Sequence, residues 1–101
     1  MVVTLQSATE QEILRPLWKV HILHHAGEGA IVGNWMLEEL REHGYRVSPG
    51  TLYPLLGRMV RLGWLGRTPD GRYRITAAGR RVLAEVRTRL RELQREVFFK
   101  R

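Results

Sequence analysis

Five apolar residues near the end of the chain recur at alternating spacings of three and four, and this heptad stripe constrains the fold most. Its members are Leu83, Val86, Leu90, Leu93 and Val97. The pattern predicts a helix of about 23 residues, or ~35 Å. The short elements before it cannot cover such a helix, and strict heptads pack against a partner helix. We therefore expect a dimer contact here; the alternative is a helix lying across its own domain.

The length of the chain supports a dimer. With 101 residues, the chain has the length of one domain and buries only a small core, and without cysteine it has no disulfides to stabilise that core. Packing against a second copy would enlarge the core. The absence of cysteine also excludes thiolate catalysis, zinc ribbons and iron–sulfur clusters. The sequence shows neither a membrane-spanning run nor a signal peptide, so we expect a cytoplasmic protein with no membrane partner. We expect no cofactor and no catalysis.

Two helices are predicted at the start of the chain. The first begins near residues 8–10, where Ser7 and Thr9 each start a capping pattern. Pro16 is expected to kink it or to divide it into a short arm and a main helix. Gly27 and Gly29 are expected to end it. The second spans residues 33–43 and is ended by Gly44, with an inward face made of Trp35, Met36 and Leu40.

A third helix and a hairpin follow. Ser48 as N-cap and Pro49 at the first position predict a helix over residues 49–62, with a slightly irregular first turn because of Pro54. Its apolar face consists of Leu52, Leu55, Leu56, Met59 and Leu62. Residues 64–75 then change to alternating apolar positions around a turn, which predicts a β-hairpin. Thr76 caps the final helix.

This order of elements predicts a mainly α fold with a small β-hairpin. Helix, helix, tight turn, helix and hairpin is the order of a winged helix–turn–helix, whose third helix enters the DNA major groove. We expect residues 1–75 to form this DNA-binding region. Residues 76–101 are expected to form the long C-terminal dimerisation helix of a single compact domain.

The charge distribution agrees with a nucleic-acid partner. The formal net charge of +7 divides into −2 for residues 1–57 and +9 for residues 58–101. The third helix, the wing and the last helix therefore carry nearly all of the positive excess. A solvated basic surface without a partner would show the same total.

Two segments of this half resemble a known family. Residues 48–65, SPGTLYPLLGRMVRLGWL, are similar to the recognition-helix signature of PadR-type bacterial transcriptional regulators. Residues 72–79, RYRITAAG, resemble that family's wing-to-helix segment. The resemblance covers about residues 13–90. It implies dimeric repressors in which the last helix packs against the partner's first helix and sometimes encloses a small-molecule pocket.

Eight residues are candidates for DNA contact. Thr51 and Arg58 lie off the apolar face of the third helix and are expected to contact bases, since arginine can bind guanine in a bidentate manner. The expected phosphate contacts are Ser48, Tyr53 and Arg61 on this helix and Arg67, Arg72 and Arg74 on the wing. Ser48 could instead act only as a cap. The ring of Tyr53 could instead pack on the second helix.

The histidines suggest a different function. His21 and His25 are four residues apart on the first helix, with His24 beside them and Glu28 three residues further on. Metal ligands have such spacings. The surrounding residues are typical of a core, however, so partly buried histidines with local hydrogen bonds are the alternative to a metal or proton sensor.

Trp18 and Trp35 suggest an effector site. Both are expected in the core, or alternatively as the lining of a pocket for a small aromatic molecule at the dimer contact. We expect a homodimeric repressor that binds double-stranded DNA at a near-palindromic promoter operator. A winged-helix domain that binds a protein partner is the alternative.

Overall fold

The computed structural model describes residues 8–99, which form four α-helices and one two-stranded hairpin. In chain order these are α1 (Arg15–Glu28), α2 (Gly33–Glu42), α3 (Pro49–Arg61), β1 (Leu65–Arg67), β2 (Tyr73–Ile75) and α4 (Ala77–Phe99). The predicted fold class, mainly α with a small hairpin in the winged helix–turn–helix order, is confirmed.

The first helix changes type just before its proline and does not break there. A π-helical turn over Glu10–Leu14 continues into α1 through Leu14 and Arg15, which both have helical backbone conformation, and Pro16 lies in the first turn of α1. α1 ends with Gly29 as its C-cap. Gly27 lies inside the helix, so the prediction that it helps to end α1 was wrong.

The predicted side-chain caps differ in outcome. The N–H of Gly79 donates to Thr76 Oγ1 at 3.0 Å, which confirms the cap of α4. Ser48 occupies the N-cap position of α3 with extended backbone, but its hydroxyl bonds no backbone N–H there. Thr9 makes no capping bond either, so both side-chain caps were wrong. Ser7 lies outside the described residues.

α2 buries one face against the core and ends at a glycine. Met36 and Leu40 are fully buried, and Gly44, at φ +92°, takes the left-handed conformation that ends the helix. The prediction that Trp35 faces inward was wrong, because its side chain is 47% exposed. At about 100° per residue, Trp35 lies about 100° around the helix from Met36 and about 140° from Leu40, and so points away from the buried face.

α3 buries an apolar face and continues through its internal proline. Leu52, Leu56 and Met59 are fully buried, and the helix continues unbroken through Pro54. The prediction that Leu62 belongs to the buried face was wrong, since it is 46% exposed. It follows the last helical residue, where the chain already turns toward the hairpin.

The hairpin is hydrogen-bonded to the segment between α1 and α2. β1 and β2 are antiparallel, with Leu65 opposite Ile75 and Arg67 opposite Tyr73. Ile31, in the segment between α1 and α2, exchanges two backbone hydrogen bonds with Tyr73, of 2.8 and 2.9 Å. These bonds fix the wing to the helices that precede it.

α4 begins on the hairpin and then leaves the core. The N–H of Thr76 donates to the carbonyl of Trp64 at 3.0 Å, and a Cβ at Gly79 would clash with that same carbonyl. Only a glycine therefore allows this approach of helix and hairpin. Within the described part of α4, no residue beyond Leu83 is buried.

Candidate nucleic-acid interface

The face of α3 opposite the core carries the side chains predicted to contact DNA. Ser48, Tyr53, Arg58 and Arg61 are exposed, and Thr51 is half-buried. The helix therefore presents two arginines and three hydroxyl groups to the outside while its leucines and Met59 hold it in place. A helix of this kind suits entry into a major groove.

Two hydroxyl groups lie together at the start of α3. Ser48 Oγ and Thr51 Oγ1 are 3.2 Å apart and share a hydrogen bond. The backbone N–H groups of Thr51 and Leu52 donate to the carbonyl of Ser48, at 3.0 and 2.9 Å. The Ser48 hydroxyl thus bonds the Thr51 hydroxyl and not a backbone N–H of α3.

Tyr53 contacts the second helix through its ring. A Cβ on Gly33 would lie 2.6 Å from Cε1 of Tyr53 and 3.1 Å from its hydroxyl oxygen. The expected alternative, a ring packed on the second helix, is thus confirmed. The residue remains 42% exposed, so the packing does not remove it from the surface.

A basic cavity adjoins α3, and two of its cations were not predicted. It has a volume of about 420 Å³ and is lined by Arg58 and Arg61 from α3 and by Arg15 and Lys19 from α1. The guanidinium carbon of Arg15 lies 5.6 Å from the centroid of the Trp18 ring. The spacing of four between Arg15 and Lys19 puts both on one face of α1 and could have revealed them.

Arg67 is held by the wing itself. Its guanidinium carbon lies 4.4 Å from the ring centroid of Tyr73, and its nitrogens donate to the Tyr73 hydroxyl at 3.1 Å and the Gly71 carbonyl at 3.0 Å. The register of the hairpin places Arg67 directly opposite Tyr73, which produces this contact. Arg67 therefore shapes the hairpin, in addition to any contact with DNA.

The other two wing arginines differ in their partners. Arg72 pairs with Asp70 at 3.2 Å, and a hydrogen bond from the Thr68 hydroxyl, together with the nearby Arg72, lowers the pKa of that carboxyl group. Arg74 folds across Gly66 on the neighbouring strand, and within residues 8–99 it makes no ion pair. Arg72 is thus paired with a carboxylate of the wing, whereas Arg74 is not.

The heptad residues of α4 become more exposed toward the end of the helix. Leu83 is buried and Val86 half-buried, whereas Leu90, Leu93 and Val97 are exposed. The first part of this stripe borders an apolar groove of about 430 Å³ between α1 and α4. The groove is lined by Leu17, Val20, His21, His24, Tyr45, Leu83, Arg87 and Leu90.

The histidines lie where α1 meets α2. His21 bonds the Tyr45 hydroxyl at 2.9 Å, and the Glu39 carboxylate lies 3.1 Å from His43 and 3.5 Å from His25. Burial, with smaller effects from the neighbouring histidines, lowers the pKa of His21. His43 and Glu39 were not predicted as members of this group, since no local spacing relates them to α1.

The two tryptophans proposed for an effector pocket line different cavities of the single chain. Trp18 is fully buried and borders the basic cavity beside α3. Trp35 borders a separate cavity of about 360 Å³ that also contains His25 and Arg72. The effector pocket stays a prediction.

Comparison with known proteins agrees with this architecture. A family model described as the transcriptional regulator PadR-like family matches residues 22–85. The chain is also 50% identical over 94 residues to a protein of Mycobacterium tuberculosis named Transcriptional regulator Rv3488, covering 86% of this chain and 88% of that protein. Within residues 8–99, no helix is long and apolar enough to cross a membrane. The chain belongs to the PadR-like family of transcriptional regulators.

Proposed function

We propose that this transcriptional regulator binds DNA as a homodimer and represses transcription by occupying a near-palindromic promoter operator. α3 would enter the major groove, and the wing formed by β1 and β2 would meet the neighbouring phosphates. Two copies related by a two-fold axis would engage half-sites about 34 Å apart.

The shape and charge of α3 carry this proposal. The helix buries Leu52, Leu56 and Met59 and exposes Arg58 on the opposite side. Arg15 and Lys19 extend the same basic region from α1. An arginine in a major groove can bind both acceptors of guanine, which discriminates between bases by about 1–3 kcal/mol.

The exposed end of α4 supports the homodimer. Leu93 and Val97 are 53% and 57% exposed although they continue a strict heptad stripe. Beside them, the apolar groove between α1 and α4 offers a surface on which a second copy of α4 could pack. Such a contact would bury the apolar residues that the single chain leaves exposed.

The first test is a selection of genomic fragments of the host by the purified protein at about 150 mM salt, which suppresses nonspecific phosphate binding. We expect enrichment of a few promoter fragments that share an inverted repeat. Arg58→Ala and Thr51→Ala should then weaken binding to this operator and relax its sequence preference. Arg95→Ala is the matched control, because Arg95 is exposed at the outer position of the heptad in α4.

The alternative is a winged-helix domain that binds a protein partner. In that case no fragment would be enriched, and substitution of Arg58 or Thr51 would leave the main interaction unchanged. A small aromatic effector is tested separately, by tryptophan fluorescence and operator affinity across a panel of planar compounds. No change in either quantity would exclude ligand response for the compounds used.

A further inference from the structure

Three of the four histidines of the chain gather around one another at the contact of α1 and α2. His21 and His25 lie one turn apart on α1, and His43 caps the end of α2. One ligand atom from each of the three lies within 4.8 Å of the other two. The rings of His21 and His43 have centroids 5.0 Å apart.

A carboxylate completes this group. Glu39 Oε2 lies 3.1 Å from Nε2 of His43 and 3.5 Å from Nε2 of His25. The side chain of Glu39 is 22% exposed and that of His25 is 17% exposed. Two helices therefore bring three imidazoles and one carboxylate to one half-buried place.

We propose that His21, His25, His43 and Glu39 bind a divalent transition-metal ion of the zinc class. Imidazole nitrogen and carboxylate oxygen are ligands that zinc accepts in a four-coordinate site. In binding, the ion would take the place of the protons that the histidines share with Glu39. The two helices would then be joined through the metal.

The distances allow the site to close with small movements. Zinc–nitrogen bonds of ~2.0–2.1 Å place tetrahedral ligand nitrogens roughly 3.4 Å apart. The ligand atoms lie within 4.8 Å of one another, so they need to approach by at most about 1.4 Å. The side chain of His43 is 49% exposed and has room to move.

The surroundings of His21 also suit a metal ligand. A metal-bound histidine usually bonds an oxygen through its second ring nitrogen, which fixes the orientation of the ring. Tyr45 supplies such an oxygen, at 2.9 Å from Nε2 of His21.

A second group of potential ligands, His24, His25 and Glu28, shares one histidine with the proposed site. It is the weaker candidate, because all three residues belong to one helix. His24 and Glu28 are also 44% and 69% exposed, so water competes for them more effectively. Substitution of His43 or His24 distinguishes the two groups experimentally, because each of these residues belongs to only one group.

The test uses the full chain without a histidine tag, freed of metal by a chelator and dialysed. Cobalt(II) is titrated as a spectroscopic probe, and zinc is added afterwards as a competitor. We expect the visible absorption bands of four-coordinate cobalt, saturation at one ion per chain, and loss of the bands when zinc is added. His43→Gln and Glu39→Gln should each weaken cobalt binding more than about tenfold.

His24→Gln is the matched control and should bind cobalt like the unchanged protein. Circular dichroism confirms that each variant is folded before titration. Absence of cobalt bands together with absence of zinc binding by calorimetry would overturn the proposal. Cobalt binding that persists in His43→Gln but disappears in His24→Gln would also overturn it, and would move the ion to the second group. Since none of these readouts involves DNA, the result is independent of operator binding.

Discussion

The ring of Tyr53 rests on the bare backbone of Gly33, so α3 touches the first residue of α2 where no side chain intervenes. A methyl group at Gly33 would lie 2.6 Å from Tyr53 Cε1, which is too close for a carbon contact. Gly33→Ala should therefore displace the tyrosine and lower the free energy of unfolding by about 1–3 kcal/mol. Thermal unfolding measures the loss of stability, and operator binding measures the effect on α3.

Gly29→Ala is the matched control for this substitution. Nothing lies within 4 Å of a Cβ at Gly29, and its φ of 163° is extended backbone that any residue adopts. The control should change stability and operator affinity little. Equal effects of the two substitutions would contradict a specific contact between Gly33 and Tyr53.

Two wing arginines are expected to act differently. Arg74→Ala should weaken binding to all sequences to a similar degree and reduce the slope of log affinity against log salt by about one, the behaviour of a single phosphate contact. Arg67→Ala should also loosen the hairpin, because it removes the stack on Tyr73 and the bond to Gly71. Salt titrations of operator affinity and hydrogen exchange of the hairpin amides measure these effects. Unchanged exchange in Arg67→Ala would argue against a structural role for this residue.

The heptad stripe predicts the effect of a charge on assembly. Leu93→Glu should produce a monomer, since it would bury a carboxylate against the partner helix without a compensating charge. Operator affinity should fall with it, because a monomer engages only one half-site. Thr88→Glu adds the same charge at the outer heptad position and should leave the dimer intact. Sedimentation equilibrium distinguishes the two, and a dimer that survives Leu93→Glu would exclude the stripe as the contact.

His21 should make stability depend on pH. Its pKa is lowered in the folded chain, chiefly by burial, so folding favours the neutral ring, whereas the unfolded chain titrates near 6.5. The contribution of His21 to the free energy of unfolding is fully present above about pH 6.5 and is lost as the pH falls below that value. The groups around it are His24, His25, His43, Glu39, Arg87 and Tyr45.

Chemical denaturation between about pH 7 and pH 5, in the presence of a chelator, tests this dependence. We expect the free energy of unfolding to decrease toward pH 5 and the decrease to be smaller in His21→Gln. His24→Gln removes an exposed histidine from the same helix and should retain most of the slope. A slope that is the same in His21→Gln and the unchanged protein would assign the effect to other groups.

The local parts of the fold could be predicted from the sequence. Pro49 begins α3, the spacing of its leucines defines the buried face, and Thr76 caps α4, since each of these features acts within one or two turns of helix. The sequence-based prediction placed Trp35 in the core because large aromatic side chains favour burial. Its side chain is exposed because Met36 and Leu40 occupy the buried face of the helix.

Contacts between distant segments could not be predicted in the same way. The stack of Arg67 on Tyr73 depends on hairpin register, which alternation alone does not fix. His43 and Glu39 meet His25 only through the packing of α2 on α1. The basic cavity could not be predicted either, because it depends on the position of Arg15 relative to α3.

The approach of Gly79 to the Trp64 carbonyl has a mechanical consequence. Together with the hydrogen bond from the Thr76 N–H, it joins the start of α4 to the base of the hairpin, so a rotation of one element would press on the other. With 23 residues, α4 is about 35 Å long. A shift of about 3 Å at its far end corresponds to a rotation of roughly 5° at the hairpin, from this length alone. Because Tyr73 of the wing is also bonded to Ile31, a rotation of this size would strain the two backbone hydrogen bonds that hold the wing to the segment between α1 and α2.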